Sequence, residues 1–283
     1  MPTIEDYGTF ETAWCPGCGN FGILNALKKA LVNCDLAPHQ VLLVSGIGQA
    51  AKTPHYLRAN VFNGLHGRSL PAAIGARLAN PELTVIAESG DGCMYGEGGN
   101  HFLAALRRNL DLTILAHDNR VYGLTKGQTS PTSQQGMVTK TQPHGAFAPP
   151  FNPVAVAVTM GASFVARGYA GKLEHLTGLI AEAIKHRGTA LVDILQPCVS
   201  FNRINTYQWY QQHCYELSAE HDPTDRDQAL RVALEFGERI PLGVIYQTQK
   251  PLFEEQFATL EKGPLARQEV SREGLKNIMQ QYA

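Results

Sequence analysis

Leu83-Thr84-Val85-Ile86-Ala87-Glu88-Ser89-Gly90-Asp91-Gly92 passes from a run suited to a buried strand straight into an aspartate held between two glycines. Three other stretches share the apolar part of this build: Val41-Leu42-Leu43-Val44, Leu112-Thr113-Ile114-Leu115-Ala116 and Ala190-Leu191-Val192-Asp193-Ile194-Leu195. Each is almost continuously apolar, as a strand covered on both faces must be. Ser163-Phe164-Val165-Ala166 is a shorter fifth candidate. Between them the apolar spacing changes to threes and fours: Phe21, Leu24, Leu27, Leu31; Phe102, Ala105, Leu106; Leu176, Leu179, Ala183, Ile184. These are helical faces. Gly161 and Gly188 stand where helix ends call for a left-handed residue. Strands alternating with helices predict an α/β fold, doubly wound around a mostly parallel sheet.

Ligands of such folds bind at the carboxyl ends of the strands. Those ends are Ser45-Gly46-Ile47-Gly48, Glu88-Ser89-Gly90-Asp91-Gly92, His117-Asp118-Asn119 and Gln196-Pro197-Cys198. The chemistry-bearing residues therefore converge on one sheet edge, which predicts one active site. Gly-Asp-Gly after a strand is commonly just a tight turn, but here it has a counterpart. Between Gly92 and Asn119 lie 26 residues, room for one crossover helix and one strand, so the two motifs end neighbouring parallel strands. A hard cation takes oxygen ligands, few of them charged. Asp91 offers a carboxylate, Asn119 an amide oxygen and Val121 a backbone carbonyl, with diphosphate oxygens and water completing the shell. Gly64-Leu65-His66-Gly67-Arg68 adds an imidazole and a cation near an anion site, against the plainer reading of His66 as a structural histidine.

The chain has 283 residues, 44% hydrophobic and 17% charged, enough to bury a large core. A net charge of -1 argues against nucleic acid as a main partner. Lys28-Lys29 and Arg107-Arg108 read as solvated helix faces. No apolar run reaches the ~20 residues of a membrane helix, and the polar start Met1-Pro2-Thr3-Ile4-Glu5-Asp6 has no secretory pattern, so a cytoplasmic location is expected. Reduced cysteines there suggest metal or redox chemistry over disulfides. The polar segment 126–152, rich in Gly, Pro, Ser and Thr, is too long for an idle connector and reads as a lid or binding segment. After Cys198 the pattern is irregular to Gln212, then helix–strand–helix.

Trp14-Cys15-Pro16-Gly17-Cys18-Gly19-Asn20 leaves three possibilities open: zinc, a redox pair, or iron–sulfur. A zinc ribbon wants a second such pair, which is absent. A thioredoxin-type pair should follow a strand, whereas this one precedes the first helix.

The Gly90-Asp91-Gly92…Asn119 spacing resembles the magnesium–thiamine diphosphate motif of thiamine-dependent enzymes. The cysteine stretch with Phe21-Gly22-Ile23-Leu24 resembles the amino terminus of 2-oxoacid:ferredoxin oxidoreductase β subunits. Ser45-Gly46-Ile47-Gly48, Leu65-His66-Gly67-Arg68, Asp118-Asn119-Arg120-Val121-Tyr122-Gly123-Leu124, Phe164-Val165-Ala166-Arg167-Gly168 and Leu195-Gln196-Pro197-Cys198 are similar too, in order, over roughly residues 10–215. The resemblance implies a thiamine diphosphate-binding fold. It implies Mg2+ on Asp91, Asn119 and Val121, and a cofactor lined by Ile47, Gly48, Gln49, Ala50, His66, Arg68, Gly90, Gly92, Cys93, Gly123 and Leu124. Leu124 is expected beneath the thiazolium and Lys52 at the substrate carboxylate, although Lys52 also reads as a solvated lysine and Cys93 as a small buried residue.

A [4Fe–4S] cluster is implied on Cys15, Cys18 and Cys198. The family's fourth cysteine falls where this chain has Gln49. Three outcomes follow: a cluster on three thiolates with Gln49, water or another group at the fourth iron; recruitment of Cys34 or Cys214; or no cluster. The implied reaction is coenzyme A-dependent oxidative decarboxylation of a 2-oxoacid of the 2-oxoglutarate or pyruvate type, with electrons passing to ferredoxin. The implied partner is an α subunit, in an assembly of two αβ pairs. Residues 1–215 are expected to form the cofactor- and cluster-binding domain, and 216–283 an extension packed on it or on the partner. The rival readings are a non-oxidative thiamine-dependent decarboxylase subunit without the cluster, and a structural subunit.

Overall fold

The computed structural model describes residues 1–269 and 271–282. In chain order the elements are α1 (Asn20–Asn33), β1 (Val41–Ser45), β2 (Asn60–Asn63), α2 (Ser69–Ala79), β3 (Thr84–Gly90), α3 (Gly99–Arg108), β4 (Leu112–Asp118), β5 (Val121–Tyr122), β6 (Gln128–Thr129), α4 (Pro153–Thr159), β7 (Phe164–Tyr169), α5 (Leu173–Lys185), β8 (Thr189–Leu195), α6 (Tyr207–His213), β9 (Cys214–Glu216), α7 (Arg226–Leu234), β10 (Ile240–Gln247) and α8 (Arg272–Gln281). Eight strands form one sheet in the order β2-β1-β3-β4-β8-β7-β10-β9. From β2 to β7 every pairing is parallel, and β10 is antiparallel to β7. This is the doubly wound fold expected from the strand–helix alternation.

Successive strand residues face opposite sides of the sheet. Ile86, Leu115, Ala166 and Val192 join one core with α1 and α5, while Val85, Ala87, Ile114, Ala116, Val165 and Leu191 join a second with α2, α3, α4 and α7. Two apolar layers explain why these strands read as continuous apolar runs. The predicted helical residues supply both layers: Leu24, Leu27 and Leu31 on one side, Phe102, Ala105 and Leu106 on the other.

Gly161, at φ +69°, follows α4 as expected, whereas Gly188, at φ +139°, lies beyond α5 at the entry to β8. Three stretches differ from the sequence reading. The edge strand β2 is exposed along its whole length. The stretch read as irregular up to Gln212 contains α6, whose first turn is capped by Thr206 Oγ1 accepting from the Trp209 N–H at 3.2 Å. In the tail, β10 and β9 extend the main sheet.

Candidate active site

Parallel pairing brings the ends of β1, β3 and β4 side by side, with Ser45 opposite Glu88 and Gly90 opposite His117. The loops leaving them line a cleft that is partly open to solvent. Its walls include Ile47, Gly48, Gln49 and Ala50 from the first loop, Gly90, Asp91, Gly92 and Cys93 from the second, and Asn119, Val121, Gly123 and Leu124 from the third, with His66 beside them. Leu124 is 42% exposed. Two expected residues lie apart. Arg68 is exposed, its Nη1 3.1 Å from His101 Nε2, and is not among the cavity walls. Lys52 sits half-buried on the turn Ala50–His55, outside these walls.

Asp91 is the ionisable centre of the cavity floor. Its carboxylate is 1% exposed and accepts hydrogen bonds on Oδ2 from Ser130 Oγ at 2.5 Å and Thr132 Oγ1 at 2.6 Å. Thr132 Oγ1 also lies 2.7 Å from Asp118 Oδ1. Burial, with the nearby Asp118 charge adding, pushes the Asp91 carboxyl up to about 8, while the two hydroxyl donors act against that shift. A buried carboxylate without a cationic partner is costly, and a divalent ion is what such a group fits. Asn119 and Val121 stand on the kink at Arg120, φ +62°, where Asn119 Oδ1 accepts from the Val121 N–H at 3.0 Å. Arg120 itself is buried, donating from Nε to the Thr132 carbonyl at 2.7 Å and lying 4.5 Å over the Phe236 ring. Gly92 has no room for a side chain: a Cβ there would lie 2.3 Å from Tyr122 Cε1.

A second cavity adjoins the first and shares Gln49, Asn119 and Gly123 with it. Cys15, Cys18 and Cys198 all lie on its walls, although Cys198 is 180 residues from Cys18. Burial, then the neighbouring Cys198 and Cys15, pushes the Cys18 thiol up to about 11. Gln196 Nε2 donates to Cys18 Sγ at 3.3 Å and Ser200 Oγ to Cys15 Sγ at 3.1 Å. Three buried polar atoms of the same walls have no partner among the described residues: Asn20 Nδ2, Gln49 Oε1 and Gln196 Oε1. Among the described residues no three His, Cys, Asp or Glu side chains group tightly enough for one metal ion. Three thiols on one wall, with the unpaired Asn20 amide N–H beside them, are donors of the kind an iron–sulfur cluster would use. Cys34 and Cys214 are not on these walls. The Cys34 Sγ contacts the Ala181 carbonyl at 3.6 Å, and Cys214 opens β9, where burial pushes its thiol up to about 12.

The sequence reading did not reach several residues of the site. Glu97, Tyr122 and Thr125 line the first cavity, and Trp14, Asn20, Gln196 and Ser200 the second. Ser130 and Thr132 carry the floor. Segment 126–152 thus includes a buried support, with Ser130, Thr132 and Ser133 packed under the cavity, ahead of its longer exposed portion. Only its Ser and Thr content hinted at this.

The family model for the thiamine pyrophosphate enzyme C-terminal TPP binding domain matches residues 40–194, and that for the C terminal of the pyruvate ferredoxin oxidoreductase beta subunit matches residues 198–262. The chain is 45% identical over 280 residues to the 2-oxoacid:ferredoxin oxidoreductase subunit beta of a Sulfolobus species, covering 92% of each. It is 43% identical over 277 residues to subunit beta of an Aeropyrum pernix 2-oxoacid:ferredoxin oxidoreductase, covering 92% of this chain and 87% of that one. Its fold superposes with a TM-score of 0.91 on 2-oxoglutarate:ferredoxin oxidoreductase from Magnetococcus marinus, solved with 2-oxoglutarate, coenzyme A and succinyl-CoA bound. The identity there is 34%, over 98% of this chain and 95% of the other. The fold is thus that of a thiamine diphosphate-dependent oxidoreductase subunit. The chain belongs to the 2-oxoacid:ferredoxin oxidoreductase β subunits.

Proposed function

We propose that this chain and an α subunit together catalyse the coenzyme A-dependent oxidative decarboxylation of a 2-oxoacid of the 2-oxoglutarate or pyruvate type and deliver the electrons to ferredoxin. The observation that carries the reading is the shared wall: the cavity floored by Asp91 and the cavity ringed by three cysteines meet at Gln49, Asn119 and Gly123. Carbon chemistry and electron removal then occur in adjoining rooms.

Thiamine diphosphate, when bound, supplies the electron sink that lets a 2-oxoacid lose carbon dioxide. Asp91, Asn119 and the Val121 carbonyl hold the magnesium ion that anchors the diphosphate, a set with one charge and two neutral oxygens that suits this ion. Ser130 and Thr132 keep the Asp91 carboxylate aimed inward. Gly90 and Gly92 let backbone approach the diphosphate, Ile47 to Ala50 line the cofactor from the first loop, and Leu124 gives it an apolar support. Cys15, Cys18 and Cys198 hold the cluster, with Gln196 and Ser200 donating to two of the sulfurs.

Anaerobic purification of the αβ complex, with thiamine, magnesium, iron and sulfide measured, tests this directly. Coenzyme A-dependent ferredoxin reduction is expected, with 2-oxoglutarate and pyruvate compared as substrates. Asp91→Ala is expected to abolish thiamine retention and turnover while the subunits still assemble. The absence of a thiol at Gln49 favours one rival, the non-oxidative decarboxylase. Release of aldehyde by an iron-free complex that never reduces ferredoxin establishes that rival instead.

A further inference from the structure

We infer that the cluster held by Cys15, Cys18 and Cys198 has one iron without a thiolate, facing the side-chain amide oxygen of Gln49 and therefore labile. The inference rests on the reading above that the cysteine cavity takes a cluster. A four-iron cluster ordinarily has four thiolates, one for each iron. The walls of this cavity carry three. The other cysteines are committed elsewhere: Cys34 lies against the Ala181 carbonyl, Cys93 Sγ accepts from the Gly67 N–H at 3.1 Å, and Cys214 opens β9.

Gln49 is placed differently. Its main-chain carbonyl is pinned by the Trp14 indole N–H at 2.8 Å, which fixes the residue on the wall common to both cavities. Its Oε1 is buried and has no hydrogen-bond partner among the described residues. A buried acceptor without a donor is unfavourable, and an iron, or water bound to that iron, relieves it. An amide oxygen is neutral and binds iron more weakly than a thiolate does. That iron consequently leaves first. The cluster also carries one negative charge fewer than with four thiolates, and net charge is a principal determinant of reduction potential.

Ferricyanide followed by a chelator exposes the difference. The oxidised cluster gives one electron to ferricyanide and one ferrous ion to the chelator. A three-iron cluster remains with all four sulfides, its charge falling from plus two to plus one. The experiment applies this treatment to the anaerobic αβ complex and reads iron, sulfide and the low-temperature electron paramagnetic resonance spectrum. Wild type is expected to lose about a quarter of its iron and no sulfide, to gain the near-isotropic signal of a three-iron cluster, and to recover with ferrous iron and a thiol reductant. Gln49→Cys is expected to keep its iron, show no such signal and have a lower midpoint potential. Gln49→Ala is expected to stay labile. Wild type that keeps all its iron, or Gln49→Cys that loses iron as wild type does, overturns the inference. A complex that binds thiamine but holds neither iron nor sulfide overturns the cluster reading itself.

Discussion

Thr132→Val tests whether the floor of the first cavity works as an aimed carboxylate. The hydroxyl of Thr132 has one proton and two carboxylate neighbours, Asp91 Oδ2 at 2.6 Å and Asp118 Oδ1 at 2.7 Å. Valine keeps the shape and removes the proton. A hydrogen bond to a charged group contributes about 1.5–3 kcal/mol. The lower end applies here, because Ser130 still donates to Asp91 and the Arg120 N–H still reaches Asp118 at 3.2 Å. About 1.4 kcal/mol is tenfold in an equilibrium constant, in keeping with losses of about 10–100-fold when a partner of a metal ligand is removed. Calorimetric titration of magnesium thiamine diphosphate into the cofactor-depleted αβ complex should therefore show Thr132→Val binding about tenfold more weakly, and Thr132→Ser close to wild type. Equal affinity for Thr132→Val and wild type refutes the aiming role. Equal losses in Val and Ser variants move the cause from the hydroxyl to packing.

Gly92→Ala should destabilise the chain by about 1–3 kcal/mol, as overpacking does, since the new methyl would sit 2.3 Å from the Tyr122 ring. Adding Tyr122→Ala should recover much of that loss in thermal unfolding, and a Gly92→Ala chain as stable as wild type contradicts the contact. The Asp193 carboxyl is lifted by burial, with Asp118 adding to it, from 3.8 to about 7, while Tyr95 donates to it at 2.7 Å. A carboxyl raised in the folded state holds a proton that the unfolded chain releases. Its stabilisation is thus complete below 3.8 and lost as pH rises to about 7. Denaturant unfolding of the cofactor-free chain should show Asp193→Asn gaining on wild type across that window and running parallel above it. A difference that does not change with pH removes the assignment.

Which parts of the fold are legible follows from where water is. The strands at 41–45, 84–90, 112–118 and 189–195 declare themselves because two apolar layers sandwich them. β2 does not: Asn60-Val61-Phe62-Asn63 is exposed on an edge and carries neither a run nor an alternation. A strand in the tail is legible, but its place is not. Ile240-Pro241-Leu242-Gly243 contains a proline and a glycine, and the pairing with β7 slips between Val244 and Tyr246. Proline and glycine punctuate a pattern locally, whereas the antiparallel position beside β7 is decided by packing that no local pattern carries.

The site divides along the same line. Asp91 and Asn119 are legible because a parallel sheet must bring the carboxyl ends of adjacent strands together, so motif spacing alone predicts that they meet. Thr132 and Ser130 reach Asp91 from 41 and 39 residues away, through a loop whose course no periodicity fixes. Arg68 shows the opposite case: its neighbour His66 lines the cavity, yet the Arg68 side chain itself is exposed beside His101. Gln49 combines both. In the sequence it marks a ligand position without a ligand. In the fold it stands on the wall between two cavities, its backbone anchored by Trp14 and its amide oxygen unpaired. On the proposed function, electrons released on one side of that wall are accepted on the other. A substitution at Gln49 therefore alters the wall that the thiamine and cysteine cavities share, and measuring ferredoxin reduction and decarboxylation side by side separates its effect on each.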